Sequence, residues 1–152
     1  MDTLREHAEI EFAIVANHVE AVNGLLYVSG GGWAELNRVV GTDGAPTTHF
    51  GIGAGVRIPW NETNIPHRLL IRVENEDATH IVAQWEGGIT VGRPPTLDPG
   101  AIQHAVIGMT IDTVFPRAGG YRVVVQLDED GDQKTWPFRV RDHRLPTAAA
   151  PS

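Results

Sequence analysis

Apolar residues recur at every second position in short runs along this chain, and glycine, proline and polar pairs separate the runs. Period two puts alternate side chains on opposite faces of an extended strand, so the pattern predicts many short strands and no long helix. The first strand is expected over 10–16, with Ile10, Phe12 and Ile14 on one face and Glu9 and Glu11 on the other. Residues 17–22 read as a polar connection to Asn23-Gly24, a pair that tolerates positive φ and marks a tight turn. Strands are then expected over 25–29, 49–58, 67–74 and 121–127, with a short run over 34–40. The stretch 79–91 reads as one strand or two, broken at Gly87-Gly88, and 101–115 as a strand with a bend at Gly108. A last strand over 135–141 puts Trp136, Phe138 and Val140 on one face. Pro137 has no N–H to donate, so it predicts an edge or a bulge there.

The strand at 49–58 has a pattern of its own. Phe50, Ile52, Ala54 and Val56 alternate with Gly51, Gly53 and Gly55, so one face is apolar and the other is bare. A ring such as Trp33 or Trp60 laid over the glycines is one expectation. The other is an open groove for a ligand or a further strand. No helix follows these glycines, which removes the phosphate-loop reading.

These elements predict an all-β fold: an antiparallel β-sandwich of about eight strands, immunoglobulin-like or jelly-roll-like. Residues 1–144 are expected to form one domain and the Pro/Ala-rich tail, 145–152, to be disordered. Within the last strands, Pro116-Arg117-Ala118-Gly119-Gly120-Tyr121 resembles the corner before a late strand of immunoglobulin-like and fibronectin-type sandwiches. That resemblance implies a tyrosine hydroxyl bonded to backbone a few residues upstream. Four further stretches carry a second resemblance: Leu26-Tyr27-Val28-Ser29-Gly30-Gly31-Gly32-Trp33, Val56 through Asn64, Val91-Gly92-Arg93-Pro94-Pro95, and Phe115-Pro116-Arg117. In these the chain resembles an uncharacterised bacterial family of small β-sandwich proteins, a domain of unknown function. The resemblance implies an architecture and transfers no active site.

Composition removes several function classes. Nineteen acidic against 12 basic residues give a net charge of −7, and the arginines are scattered. Such a surface repels phosphate backbones and anionic lipid, so neither nucleic acid nor membrane is an expected partner. No apolar run approaches the ~18 residues of a membrane helix. The chain has no cysteine, which excludes thiol nucleophiles, disulfides and thiolate metal sites. The start, Met1 to His7, has neither the basic nor the apolar region of a signal peptide, and a cytoplasmic location is expected.

Catalytic constellations are not apparent. The serines are Ser29 and Ser152, neither in a nucleophile elbow. Histidines lie at 7, 18, 49, 67, 80, 104 and 143, and no two are separated by one or three residues as in a local chelate. Asp128, Asp130 and Asp132 fit three positions of a calcium loop, but Gln133 and Arg139 stand where it needs glycine and glutamate. The run then reads as a solvated hairpin tip. Trp85 and Trp136 are in phase with apolar neighbours and are expected in the core, whereas Trp33 and Trp60 lie in or beside loops.

The expectation is therefore a non-enzymatic module, without cofactor, that binds a protein partner or itself. Its candidate binding residues are Trp33, Trp60, Asn61, Glu62, Asn64, Arg93 and Pro94. Binding of a small molecule or carbohydrate on the Trp/Gly surface is the first alternative. A metal-dependent enzyme with histidine ligands from several strands is the second.

Overall fold

The computed structural model describes residues 6–144; the tail expected to be disordered lies outside them. Among these residues the strands are β1 (Glu9–Val22), β2 (Leu25–Gly31), β3 (Glu35–Val40), β4 (Thr47–Ile58), β5 (His67–Asn75), β6 (Ile81–Ile89), β7 (Gln103–Val114), β8 (Gly119–Leu127) and β9 (Gln133–Arg144). They form a four-stranded sheet in the order β2-β1-β4-β7 and a five-stranded sheet in the order β3-β9-β8-β5-β6. The all-β sandwich is as expected, with one departure: β3 runs parallel to β9 while every other pair is antiparallel.

The inner faces meet as the alternation predicts. Phe50, Ile52, Ala54 and Val56 of β4 face Leu69, Ile71 and Val73 of β5, with Tyr121, Val123, Val125 and Leu127 of β8 beside them. Period two on both sheets makes this a core of interdigitating layers. At one end the core is aromatic. Phe138 stands 5.5 Å from Trp33 and 5.8 Å from Phe115, both edge-on, and 6.1 Å from Phe50.

Pro137 is tolerated because of where β3 begins. The β3–β9 ladder starts at Glu35 opposite Arg139, so at Pro137 the outer side of β9 is still free. The corner at 116–121 forms as its resemblance implied: Tyr121 is 5% exposed and its hydroxyl donates to the Arg117 carbonyl at 2.7 Å. Tyr121→Phe keeps the ring and strands that carbonyl. A loss of about 1 kcal/mol of unfolding free energy is expected in urea denaturation. An unchanged midpoint would show that solvent replaces the bond.

Two expectations need correction. The segment 17–22 is strand, not connection: β1 runs unbroken to Val22 and pairs with β2 through Val19 opposite Val28 and Ala21 opposite Leu26. The face assigned to Ile10, Phe12 and Ile14 is also wrong. A register shift between Ile10 and Phe12 lets the strand spend an extra residue at Glu11. Each residue beyond the bulge then lies on the face opposite to the uninterrupted alternation. Ile10 stays inside, Ala13 and Val15 join it, and Phe12 and Ile14 turn outward.

That bulge decides what covers the bare glycines. Beyond Ala16, β1 leaves its place beside β4 and passes over the outer face of the same sheet. A Cβ on Gly51 would lie 2.7 Å from the Val19 backbone nitrogen, and one on Gly108 would lie 3.0 Å from that of Ala21. Side chains allow no such approach; glycine does. The β1–β2 hairpin therefore folds back as an arm, with its turn at Asn23 (φ 51°) and Gly24 (φ 77°). Phe12 covers Gly55, and Ile14 and Leu26 cover Gly53. The open glycine groove is absent, and neither Trp33 nor Trp60 fills it.

Candidate functional site

The candidate residues gather at the end of the sandwich where β4 stops. Pro59 ends the strand, and Trp60–Glu62 form a single 3₁₀ turn. Thr63 Oγ1 donates to the Trp60 carbonyl at 2.8 Å, and Asn64, at φ 63°, donates its amide to the Val91 carbonyl at 2.7 Å. The loop after β6 answers from the other side. Arg93 lays its guanidinium 3.9 Å over the Trp60 ring, donates Nη2 to the Trp60 carbonyl at 2.7 Å and donates Nε to Thr63. One ring face of Trp60 is thus occupied by a cation, which leaves less of it for stacking on a sugar.

Asn61 donates to the Glu6 carbonyl at 2.9 Å, and Pro94 is exposed, its carbonyl accepting the Leu97 amide at 2.9 Å. So six of the candidates, Trp60, Asn61, Glu62, Asn64, Arg93 and Pro94, share one end. Trp33 does not join them. It packs edge-on to Phe50 at 5.9 Å, near the start of β4, and Ile58 at the other end is about 27 Å away at strand rise. Trp33 is a packing residue, held by an apolar environment that its alternation-free loop did not reveal. Trp85 departs in the opposite sense: it points inward but stays 40% exposed, because β6 is an edge.

Beneath the 3₁₀ turn lies an open cleft of about 650 Å³. Its walls carry Glu6, Glu9, Glu62, Asp128, Asp130 and Asp132. Arg57 and His7 also line it, and Arg57 lies 3.6 Å from Glu6 and from Glu9. The 128–132 turn is more than a solvated tip. Asp128 accepts from the Arg68 amide at 2.8 Å and pairs with His67 Nδ1 at 2.8 Å, while Asp132 accepts from the Ile10 amide at 2.8 Å. These bonds tie the β8–β9 turn to β5 and β1.

His67 was not singled out by the sequence. It opens β5, is 5% exposed, and reaches Asp128 across 61 positions of sequence. Its Nε2 lies 3.9 Å from Glu62 Oε2 and has no hydrogen-bond partner. The advance signs of this site were Glu62 among the loop candidates and the spacing of acids at 128, 130 and 132. Next to it, on the outer face, Arg68 bonds Glu86 and holds that carboxyl below its usual range. Among the described residues no three His, Asp or Glu side chains are grouped to hold a metal ion. No helix among them is long and apolar enough to cross a membrane.

Residues 11–141 match the model of a family of unknown function, DUF6941. The chain belongs to that family. No curated protein matches the chain. Among solved structures, a glycosyl hydrolase family 2 member from Bacteroides cellulosilyticus DSM 14838 aligns with a TM-score of 0.45 and 16% identity, over 62% of this chain and 13% of that one. The β-glucosidase from Listeria innocua in complex with gluconolactone aligns with a TM-score of 0.40 and 13% identity, over 74% of this chain and 15% of that one. In both, this DUF6941 chain corresponds to a small part of a much longer protein.

Proposed function

We propose that this DUF6941 protein is a binding module that works through the outer edge of β2, which pairs with no other strand among the described residues, joining strand to strand with a partner chain, which in the purified protein is a second copy. The observation that carries this is the composition of the edge. The strand is Leu25-Leu26-Tyr27-Val28-Ser29-Gly30-Gly31, with no charged residue and no proline. Edge strands normally carry such residues to prevent pairing with other chains. The other edges here do: β3 has Glu35 and Arg38, β6 has Glu86, and β7 has Asp112.

Exposure supports the same reading. Leu25 is 59%, Tyr27 55% and Val28 41% exposed, and Val22 on the adjoining strand is 45% exposed. Backbone groups along such an edge supply hydrogen bonds, and alternate side chains supply contact area. Because the edge is uncharged, two copies pair without burying like charges, despite a net charge of −7 on each chain.

The test is molar mass in solution, by light scattering after size exclusion, for the protein and for Leu25→Lys/Tyr27→Lys. Both side chains are more than half exposed, so the replacements leave the fold intact. A dimer that the double variant converts to monomer supports the edge. A wild-type protein that stays monomeric at every concentration overturns pairing with a second copy. A dimer indifferent to the two lysines places the interface elsewhere.

A further inference from the structure

The β1–β2 hairpin determines which backbone atoms of β2 can meet a further strand. Asn23 (φ 51°) and Gly24 (φ 77°) both lie in the left-handed region, so they form a two-residue I′ turn between Val22 and Leu25. Such a turn closes on a pair that exchanges both of its backbone hydrogen bonds. The N–H and C=O of Leu25 therefore point at β1. Direction alternates along a strand, so those of Tyr27, opposite Glu20, also point at β1, while those of Leu26 and Val28 point outward. Gly30, at φ 63°, ends the regular alternation. A partner strand bonds the outward groups, which leaves only registers centred on a residue of β2 and none centred between two.

The side chains supply a second, independent observation: the strand is self-complementary in size about Val28. An antiparallel copy with its two-fold axis at Val28 sets Leu25 against Gly31, Leu26 against Gly30 and Tyr27 against Ser29. None of the three bulky side chains then has another bulky one opposite it, and all seven residues of β2 find a partner. An axis at Tyr27 sets that ring against its own copy and leaves both glycines beyond the overlap. An axis at Ser29 leaves both leucines beyond it. Directly opposed residues lie about 5 Å apart, so a ring facing a serine can lie across it. Tyr27 would then reach toward His18 of the second copy, because His18 pairs with Ser29.

We infer, resting on the reading of β2 as a pairing edge, that two copies join in one register only, antiparallel about a two-fold axis at Val28. The partner is thereby narrowed from any extended chain to a second β2, since the size pattern of the strand matches its own reverse. At the axis the two Val28 residues exchange both of their backbone hydrogen bonds. The two hairpins become a four-stranded ribbon in the order β1-β2-β2-β1, with the same patch used by both copies.

The chain has no cysteine, so one introduced thiol is unique. The experiment is mild oxidation of the full-chain variants Val28→Cys, Tyr27→Cys and Ser29→Cys, all at exposed positions, read by non-reducing electrophoresis beside light scattering of the wild type. A hydrogen-bonded antiparallel pair holds its Cα atoms about 5.5 Å apart, within the span of a disulfide. In this register the two copies of position 27, and likewise of 29, are about 8 Å apart, beyond that span. Val28→Cys is therefore expected to link roughly ten times faster than Tyr27→Cys or Ser29→Cys alone. Tyr27→Cys mixed with Ser29→Cys and left to exchange is expected to link as fast as Val28→Cys, and this mixture carries the test if Val28→Cys does not fold. A wild-type dimer in which Tyr27→Cys or Ser29→Cys alone links fastest overturns the register and leaves the edge reading standing. A wild-type dimer in which neither the variants nor the mixture links overturns both. A wild type that is monomeric at every concentration overturns the edge reading and the register with it.

Discussion

Phe138→Ala is expected to remove about 3–5 kcal/mol of unfolding free energy, the range for deleting a buried phenylalanine ring. Phe138 is 4% exposed and sits at the centre of the aromatic end of the core. Its ring lies 5.5 Å from Trp33, 5.8 Å from Phe115, 6.1 Å from Phe50 and 6.2 Å from Tyr121. Phe50 belongs to one sheet, Tyr121 and Phe138 to the other, so the ring joins the two layers. Its neighbours are held by strands on both sides and have little freedom to close a void. Urea denaturation followed by tryptophan fluorescence measures the loss directly, because Trp33 is in contact. Phe138→Leu keeps most of the volume and is expected to cost under about 1.5 kcal/mol. A loss for alanine as small as that for leucine would show that the end of the sandwich collapses freely.

The second large effect is backbone against backbone. Gly51→Val is expected to cost about 3 kcal/mol, the upper range for forcing extra atoms into a packed site. The first of those atoms would lie 2.7 Å from the Val19 backbone nitrogen, and no rotamer change relieves that contact. The arm must lift instead. Amide exchange should accelerate across residues 17–28 while β5 and β8 keep their protection. Gly55→Ala is the contrast. There the three atoms nearest the new methyl all belong to the Phe12 ring, which is 40% exposed and free to swing, so a small change is expected. Equal destabilisation by the two would mean that the arm's position does not depend on Gly51.

Gly51 also shows where sequence reading stops. The glycine alternation was visible, and so was the apolar face opposite it. What lay over the glycines was not, because the covering residue is 32 positions away and its approach depends on a one-residue bulge at Glu11. Period two tells which residues share a face only while the count is unbroken. Elements with local causes were legible: the Asn23-Gly24 turn, the corner at Tyr121 and the inner faces of β4, β5 and β8. The site divides in the same way. Trp60, Asn61, Glu62 and Asn64 are neighbours in the chain, and their grouping followed from loop composition. His67 and Asp128 meet only because β5 lies beside β8, and nothing in either residue's surroundings announces the other. Trp33 lies in a loop, and loop composition does not tell an exposed ring from one that caps the apolar end of the sandwich, as this one does.

The parallel pair of β3 with β9 has a consequence for how this chain is made. β3 is complete by residue 40, yet among the described residues its one ladder partner is β9, beginning pairing at Arg139. During synthesis nearly a hundred residues must emerge before β3 has anywhere to bond. Closing a loop that long is slow, and strand edges left waiting are where nascent chains stick to one another. The charges on β3, Glu35 and Arg38, suit a strand that spends this interval unpaired. Arg38 then becomes 7% exposed, bonded to Asp142 and to the Phe115 carbonyl, only once β9 has arrived. The charge that suits an unpaired strand thus ends as a clasp in the finished fold, holding β3 to β9 and to the end of β7.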